Sequence, residues 1–465
     1  MRIFTAVFII FITINLTACK SLINSFVDYA EPPAEKYSKP EDPSRILPKN
    51  PKGCPVWKKN SLVRLESNLT LPKGCKYDRV SILIVNKSNF TFDCNGAKFN
   101  GLDKEFRQEI GSTYKAGQEP INEGIRIQSS ENYQSRNVVV RNCNLKNYVR
   151  GIVVHFAMNE QSKSDLRNNI NVKALENHLR SISPKNIRVE DSNISFSHKD
   201  GVYVTRFVTD FTLDGSSIDS TGAVGLYIDS GAAKNTITNT TFTKNGFSDY
   251  DTKKHKIKQK IEDYSREAIA IDSSINNIIE KNTFEGNSRG SVFIYKNCNE
   301  HYKDANQIPR YQSADGNTIR NNTFNGDKIG VWVASRQSAD LKALDCGSPR
   351  VAISSVSYGP KKDKTYIYED FAKNNLVSNN VFNGVNIGVI VEDDDNNVRG
   401  NTFNGASQYD VKVGTEFRTD KLSHPVTNVD IQDNTFNSKA SEHVKLVYNP
   451  VDITITGNTP SSVNK

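Results

Sequence analysis

Two aspartates of this 465-residue chain, Asp229 and Asp272, each end a short strand-like segment, GLYID and AIAID. If these segments lie side by side in a parallel sheet, their backbones are about 4.8 Å apart. Carboxylates that close repel each other, which separates their pKa values and can supply one acid and one base. The same pair could instead chelate a hard cation such as calcium. The spacing therefore predicts a catalytic or cation-binding pair.

A second pair of carboxylates, Asp200 and Glu267, precedes segments of the same kind, two repeats apart. Their backbones should lie roughly 9.6 Å apart, and an inverting glycosidase needs carboxyl groups about 6.5–9.5 Å apart. Polar and basic residues surround both pairs in the predicted alignment: His198, Lys199, Arg206, Arg266, Arg289, Tyr295, Lys296 and Arg336. This concentration predicts a functional site. The alternative is a face that is polar only because solvent covers it.

The middle position of these segments is aromatic in four copies, namely Tyr203, Tyr227, Phe293 and Trp332. Ala270 interrupts the column and would leave a notch between the rings. Aromatic rings on a solvent-facing sheet suit stacking against sugar rings. We therefore predict that this column binds substrate together with Asp200, Glu267 and Arg336. The alternative is that neighbouring insertions fold over the rings and bury them.

The elements that position these residues belong to a repeat of about two dozen residues. The unit is clearest at 268–290, where two short runs of alternating apolar residues are separated by polar or glycine corners. The first run recurs in segments that begin at Gly124, Gly151, Gly201, Gly225, Ser291, Gly330 and Gly388. Runs too short for a helix, repeated at a steady period, predict a solenoid of strands. We predict an all-β fold, a right-handed parallel β-helix.

The second run of the repeat carries a recurring Asn-x-Phe triplet. In a parallel coil, like residues stack on like, so the phenylalanines should form one interior stack: Phe242, Phe284, Phe324, Phe382, Phe403 and Phe436. The asparagine two positions before most of them should form a ladder, because buried amides need hydrogen-bond partners. We interpret these asparagines as structural rather than as ligands.

Insertions interrupt the repeat at about 103–122, 156–185, 247–266, 297–316, 335–373 and 414–427. They flank the first run of the unit, so they should form walls around one sheet, and insertions on one face often mark a binding face. The charged stretch from Tyr250 to Arg266 is predicted to be a short helix over this groove. The N-terminal coil, with Trp57, should cap an open sheet edge.

The N-terminus predicts export and lipidation. Residues 1–18 form a signal peptide too short to span a bilayer. The sequence Leu-Thr-Ala-Cys that ends at Cys19 resembles the bacterial lipobox, and Lys20 after it favours the outer membrane. Residues 19–50, rich in proline and charge, are predicted to be a lipidated tether. Residues 51–459 are then the β-helix domain.

Six cysteines remain besides Cys19, an even number that predicts disulfides in an oxidising compartment. One pair flanks the N-terminal coil, a second follows corresponding strands of neighbouring coils, and a third lies in insertions after equivalent strands. No Cys-x-x-Cys or histidine pair accompanies them, which argues against zinc. The predicted pairs are Cys54 with Cys75, Cys94 with Cys143, and Cys298 with Cys346.

A net charge of +8 without long charge runs fits an acidic polymer as partner, or mere solubility. An exported protein has little access to nucleic acid, so we expect no nucleic-acid partner. We expect a monomer whose partners are an acidic polysaccharide and a membrane reached through the lipid anchor.

The coils, with SHKDGVYV at 197–204 and the asparagine corners, resemble the pectin-lyase-like superfamily of right-handed β-helices. That group includes polysaccharide lyases, C5-epimerases and polygalacturonase-like hydrolases. The epimerase Asp-Pro-His motif and the paired-aspartate and Gly-His-Gly motifs of the hydrolases are absent from this sequence. The resemblance therefore implies the fold more firmly than a particular activity.

We expect an enzyme that acts on an acidic polysaccharide by β-elimination or C5 epimerisation. Such a reaction needs a cation to neutralise the uronate carboxylate, a base and an acid. Arg206 or Lys296 is the predicted cation, and His198, Tyr203 and Lys296 are predicted proton-transfer groups. Asp229, Asp272 and Tyr295 complete the predicted catalytic set, with calcium as the possible cofactor. An inverting hydrolase and a non-catalytic glycan-binding or structural β-helix are the alternatives.

Overall fold

The computed structural model describes residues 50–102, 120–251, 256–259, 265–298, 307–340, 345–353, 365–440 and 442–463. The predicted signal peptide, Cys19 and the tether up to residue 49 lie outside the described residues, so their roles stay predictions. Among the residues described, no helix is both long enough and apolar enough to cross a membrane.

Three long parallel sheets run the length of the domain, and each coil contributes one strand to each sheet in turn. The first sheet contains Ser61–Arg64, Val80–Val85, Glu123–Ser130, Arg150–Ala157, Val202–Val204, Leu226–Ile228, Glu267–Asp272, Gly290–Tyr295, Ile329–Val333, Ile387–Val391, Tyr409–Val413 and Val444–Leu446. The second contains Leu69–Thr70, Ser88–Asp93, Arg136–Arg141, Lys185–Glu190, Phe211–Asp214, Thr236–Thr238, Ile278–Glu280, Thr318–Arg320, Leu376–Ser378, Asn397–Arg399, Thr427–Gln432 and Val451–Thr456. The third contains Lys76–Asp78, Lys98–Asn100, Asn144–Lys146, Asn193–Ser195, Ser217–Asp219, Thr241–Thr243, Thr283–Glu285, Thr323–Asn325, Val381–Asn383, Thr402–Asn404 and Thr435–Phe436. This is the predicted right-handed parallel β-helix.

The predicted phenylalanine stack is confirmed in the interior of the third sheet. Its six rings follow one another with centroids 4.7–5.3 Å apart, close to the spacing of the strands. His443 continues the stack beyond Phe436, with ring centroids 5.2 Å apart. Each buried phenylalanine contributes roughly 1.5–3 kcal/mol of hydrophobic stabilisation, so repetition of this position is what holds the coils in register.

The asparagine ladder is also confirmed. The side-chain amide of Asn322 donates to Asn380 Oδ1 at 3.0 Å, and Asn380 donates to Asn401 Oδ1 at 3.0 Å. Each Oδ1 also accepts the backbone N–H of the preceding asparagine, as Asn380 does from Asn322 at 2.9 Å. These amides of the ladder therefore gain partners at a corner where the backbone cannot continue its sheet pairing.

Glycine begins many strands of the first sheet because no Cβ fits there. A Cβ at Gly201 would lie 2.6 Å from the carbonyl oxygen of Gly225 in the next coil. The repeated glycine therefore allows the coils to approach at their corner.

All three predicted disulfides are present: Cys54–Cys75, Cys94–Cys143 and Cys298–Cys346. The first closes the N-terminal coil and the second joins neighbouring coils. The third joins two insertions beside the first sheet.

The insertions form short elements of their own. Helices span Glu160–Arg167 and Val172–Ile182, and Asn159 caps the first by accepting a hydrogen bond from the backbone N–H of Ser162 at 2.8 Å. A three-stranded antiparallel sheet contains Arg336–Asp340, Arg350–Ile353 and Thr365–Asp370. A π-helical turn spans Phe417–Lys421, and a 3-10 turn spans Ser461–Val463.

The helix predicted between residues 250 and 266 is wrong. The described part of this insertion is an antiparallel hairpin of Ser248–Asp251 with Lys256–Gln259. Ile257, Ile261 and Tyr264 follow one another at helical spacing in the sequence, which is why the pattern predicted a helix. In the described residues the antiparallel pairing with Ser248–Asp251 overrides that local preference.

Candidate functional site

The outer face of the first sheet has the predicted alignment. Tyr203 pairs in register with Tyr227, Ala270 pairs with Phe293, and Phe293 pairs with Trp332. The expectation that these rings face solvent is wrong for most of them. Tyr203, Tyr227 and Phe293 are buried, and Trp332 alone among the four is half-buried.

The segment 307–312 covers the sheet over the tyrosines. Arg206 donates to the carbonyl oxygen of Ile308 at 2.9 Å, and Gln312 donates to that of Ser273 at 3.1 Å. The hydroxyl of Tyr311 donates to the carbonyl oxygen of Leu166 at 2.6 Å, which ties the segment to the first helix. Hydrogen bonds to backbone oxygens thus fix the segment on both sides, and Arg206 serves as one of these anchors.

Asp229 and Asp272 meet under this segment, with a buried arginine between them. Arg310 lies 3.4 Å from the carboxylate of Asp229 and 3.1 Å from that of Asp272. The hydroxyls of Tyr203 and Tyr227 donate to the same two carboxylates. Burial raises the pKa of Asp229, but Arg310, Arg206 and the Tyr203 hydroxyl outweigh it and hold that pKa below its ordinary value.

The expectation of an open acidic pair is therefore wrong, because Arg310 occupies the carboxylate oxygens that a calcium ion would need. Asp272 is fully buried, and 6% of Asp229 is exposed. A catalytic role for these two aspartates stays a prediction that this closed arrangement does not favour.

Lys296 and His198 are buried away from solvent. The ammonium of Lys296 donates to the carbonyl oxygens of Tyr311 and Cys346 at 3.0 and 3.1 Å, so it braces two insertions. Burial lowers the pKa of His198 to about 3, which keeps the imidazole neutral. Neither side chain is placed where a polymer on the outer face would meet it.

Asp200 and Glu267 each form an ion pair with an arginine. Arg150 lies 3.0 Å from Asp200, and Arg266 lies 3.1 Å from Glu267, which also accepts the Tyr295 hydroxyl at 2.8 Å. Burial raises the pKa of Glu267, but Arg266 and the Tyr295 hydroxyl outweigh it and lower that pKa to about 2. Glu267 is thus ionised at neutral pH and cannot serve as the general acid of an inverting hydrolase.

Three arginines beside Glu267 are half-buried and form what we call the arginine cluster: Arg266, Arg289 and Arg336. The guanidinium of Arg336 lies 4.2 Å from the ring centre of Tyr295, and that of Arg289 lies 5.2 Å from the ring centre of Trp332. Burial, and then repulsion by Arg336, lowers the pKa of Arg289. Burial, and then the charge of Glu267, raises the pKa of Tyr295 well above its ordinary value, so its hydroxyl stays protonated.

Glu392 lies next to this cluster and was not among the predicted site residues. It follows Tyr295 and Ala334 in the same outer column, and its backbone N–H donates to the carbonyl oxygen of Val333 at 2.8 Å. Its side chain is half-buried. Burial raises the pKa of Glu392 to about 7, against the opposing effects of Trp332, Lys412, Arg336 and Arg289. The sequence signal that could have identified Glu392 is a carboxylate at the column position next to a tryptophan.

Other clusters of reactive groups in the described residues carry no site. The sulfurs of Cys298 and Cys346 lie near Asp370 at a distance that would suit a metal, but they are joined in a disulfide. Ser438 and Asp410 both approach Nδ1 of His443, at 3.3 and 2.6 Å. A nucleophilic serine needs the acid and the serine on different ring nitrogens.

The comparisons with known proteins agree with this architecture. Residues 177–308 match the family described as the right-handed β-helix region. The sequence matches no curated protein. A mutant of a periplasmic alginate epimerase has a similar structure, with a TM-score of 0.50 and 11% identity over 86% of this chain and 76% of that one.

Two further solved structures are similar over most of this chain. The catalytic domain of a GH87 α-1,3-glucanase has a TM-score of 0.46 and 11% identity, over 86% of this chain and 63% of that one. A mannuronic-acid-specific polysaccharide family 6 lyase from human gut microbiota has a TM-score of 0.41 and 12% identity, over 82% and 75%. At 11% identity, the likeness to the epimerase structure shows the fold alone, a parallel β-helix.

Proposed function

We propose that this protein binds an acidic polysaccharide on the outer face of the first sheet and modifies it by β-elimination or C5 epimerisation. The arginine cluster carries the proposal. Three half-buried guanidiniums stand against the one buried carboxylate of Glu267, which leaves positive charge at the surface. Guanidinium groups bind carboxylates in a bidentate geometry, and every uronate sugar carries a carboxylate.

The cationic surface continues along the sheet beyond the cluster. Trp332, Ile390, Lys412 and Lys445 occupy the middle outer column of successive coils, and Lys445 is ion-paired with Glu442 at 2.7 Å. Lys412 therefore extends the positive surface by one further coil, at strand spacing of about 4.8 Å, toward a polymer with repeated negative charge. The half-buried ring of Trp332 offers an apolar surface for a sugar.

Chemistry on a uronate requires a cation near the sugar carboxylate, and the arginine cluster supplies it. A non-catalytic glycan-binding protein is the second candidate. It is favoured by the burial of Asp229, Asp272 and Lys296, because predicted catalytic groups that brace insertions are unavailable to a polymer. The inverting hydrolase is disfavoured because arginines pair with both of its predicted carboxylates, Asp200 and Glu267, and leave neither as a protonated general acid.

The cellular location follows in part from the cysteines. Three disulfides fit an oxidising compartment outside the cytoplasm. We further propose an outer-membrane lipoprotein anchored through Cys19. Replacing Cys19 with serine should release the protein from membranes, and membrane fractionation with mass analysis for acyl chains tests it. Retention of the variant in membranes, with no acyl chain on the wild type, would contradict the anchor.

The function is tested with the mature protein and three uronate polymers: polygalacturonate, polymannuronate and polyguluronate. Binding is followed by titration calorimetry, elimination by absorbance of the unsaturated uronate, and hydrolysis by reducing ends without that absorbance. We expect binding that weakens with salt, and unsaturated or epimerised product. Binding without product favours the second candidate, and no binding to any of the three contradicts the proposal.

A further inference from the structure

The carboxylates on the outer face of the first sheet differ in their partners. Ion pairs occupy Glu123, Asp200, Asp229, Glu267 and Asp272. Glu392 lies on the same face, is half-buried, and forms no salt bridge with any residue that the structure describes. Among the described carboxylates named here, it is the one that reaches solvent without an ion pair.

Glu392 also stands beside the groups that would hold a sugar acid. Trp332, Arg289 and Arg336 face it from the preceding coils, and Lys412 faces it from the following coil. Ala334, between Tyr295 and Glu392 in the column, is buried, whereas Glu392 and Trp332 are half-buried. A uronate whose carboxylate binds the arginine cluster would therefore meet the sheet at Glu392, with its C5 hydrogen near that carboxylate.

The geometry points to Glu392 as the proton-transfer residue of an elimination on a uronate polymer, an inference that rests on the function proposed above. The Glu392 carboxylate takes the proton from C5 while guanidiniums stabilise the negative charge that develops on the sugar carboxylate. The C4–O bond then breaks, a C4=C5 double bond forms, and the protonated Glu392 returns its proton to the departing C4 oxygen. No other reactant is consumed, and the carboxylate is regenerated.

The acid–base properties of Glu392 suit both halves of this transfer. Its pKa of about 7 means that a large fraction is the base form at neutral pH, while the protonated form is a competent acid. Tyr295 cannot take this role, because its proton is held by Glu267 and its pKa is well above the ordinary value.

The test compares the wild type, Glu392→Gln and a matched control, Glu285→Gln, in which an exposed carboxylate of the third sheet is changed. With the uronate polymer that the wild type cleaves, we expect Glu392→Gln to lower kcat by about 10²-fold or more with an unchanged Kd for the polymer. The wild-type rate should rise with pH through an inflection near 7, and the control should reproduce both rate and inflection.

Each outcome decides between the two proposals. A Glu392→Gln variant that keeps the rate and the inflection overturns the role of Glu392 and leaves the proposed function intact. Binding of a uronate polymer by the wild type without elimination also overturns the role. Failure of the wild type to bind any of the three polymers overturns the proposed function and this inference with it.

Discussion

Asp272 and Glu392 occupy the same outer column of the first sheet, three coils apart, yet their surroundings differ. Asp272 lies under the segment 307–312, forms an ion pair with Arg310, and accepts hydrogen bonds from the hydroxyls of Tyr227 and Ser273. Glu392 lies beyond that cover, half-buried and near cations that do not contact it. The scaffold is the same in both places, so the insertion above it determines whether a carboxylate is held in ion pairs or remains reactive.

The difference between these buried and half-buried carboxylates has an electrostatic basis. Burial alone disfavours the ionised form of a carboxylate, and a cation in contact reverses that effect. Asp229 has such contacts and its pKa is lowered, while Glu392 lacks them and its pKa rises to about 7. A carboxylate that titrates near neutral pH is a marker of functional sites, and an ion-paired one more often serves the fold.

The largest effect should come from removing the arginine that closes the acidic region. Arg310→Met removes the cation that contacts both Asp229 and Asp272, and Arg206, which remains, lies farther from Asp229, at 3.9 Å. Breaking a buried ion pair costs roughly 3–5 kcal/mol. Denaturant unfolding measures the loss. The control is Arg320→Met, which breaks an ion pair with Glu280 whose arginine side chain is 43% exposed and should cost under about 1 kcal/mol.

A second variant tests whether the loss comes from the charges of the two carboxylates. If Arg310→Met destabilises because these buried charges lose their shared cation, then adding Asp229→Asn and Asp272→Asn should restore part of the stability. Equal stability of Arg310→Met and Arg320→Met would show that the acidic region does not depend on its cation.

Asp229→Asn alone should have an intermediate effect. The sequence suggests that this change relieves repulsion across the coils, but Arg310 lies between the two carboxylates and already does so. Loss of a charged hydrogen-bond acceptor should cost roughly 1–3 kcal/mol and lower Tm, whereas Asp219→Asn, half-buried in the third sheet, should change Tm little. An unchanged or higher Tm for Asp229→Asn would favour the strained functional pair instead.

The fold could be read from the sequence because the same physical requirement recurs in each coil. Phe284 and Phe324 occupy equivalent places in the repeat, as do Asn282 and Asn322, so one coil predicts the next. Cys94 and Cys143 pair because they follow corresponding strands. Arg310 belongs to an insertion that occurs once. Because the repeat does not specify the position of Arg310, its contacts with Asp229 and Asp272, and with them the closure of that region, could not be predicted.

The same limit applies to the site. The column that contains Tyr295 and Glu392 was predictable from register, but the exposure of each position depends on the segment that crosses it. Trp332 and Arg336, both predicted to bind substrate, are half-buried in the structure. Tyr203 and Tyr227, predicted for the same role, are buried. The accessibility of a side chain on the outer face can be known only once the positions of the insertions that cross the face are known.

The arginine cluster should affect binding more than folding. Arg289→Ala removes a guanidinium that is half-buried and stacked on Trp332, and we expect the Kd for the bound uronate polymer to rise about tenfold or more, or roughly 1.4 kcal/mol. Tm should change little. Arg188→Ala changes an arginine of the second sheet whose side chain is 41% exposed; it is the control for charge alone and should leave Kd nearly unchanged. Equal effects of the two changes would point to diffuse attraction rather than a site.

The last effect should be on the pH dependence of stability at Glu392. The carboxyl has a pKa of about 7 in the folded protein and about 4.5 when unfolded. Between these values the folded state binds more protons than the unfolded chain, so this group makes stability fall as pH rises through that window and adds no slope above it. Glu392→Gln should remove the decline.

The measurement is the difference in unfolding free energy between wild type and Glu392→Gln at pH values on both sides of that window. Buried Asp393, with a pKa of about 7, adds a decline of the same sign, while His198, with a pKa of about 3, makes stability rise with pH above that value. Both contributions are present in each protein and cancel in the difference. A difference that stays constant across the window would show that Glu392 titrates as an ordinary surface carboxylate, which would remove the contrast with Asp229.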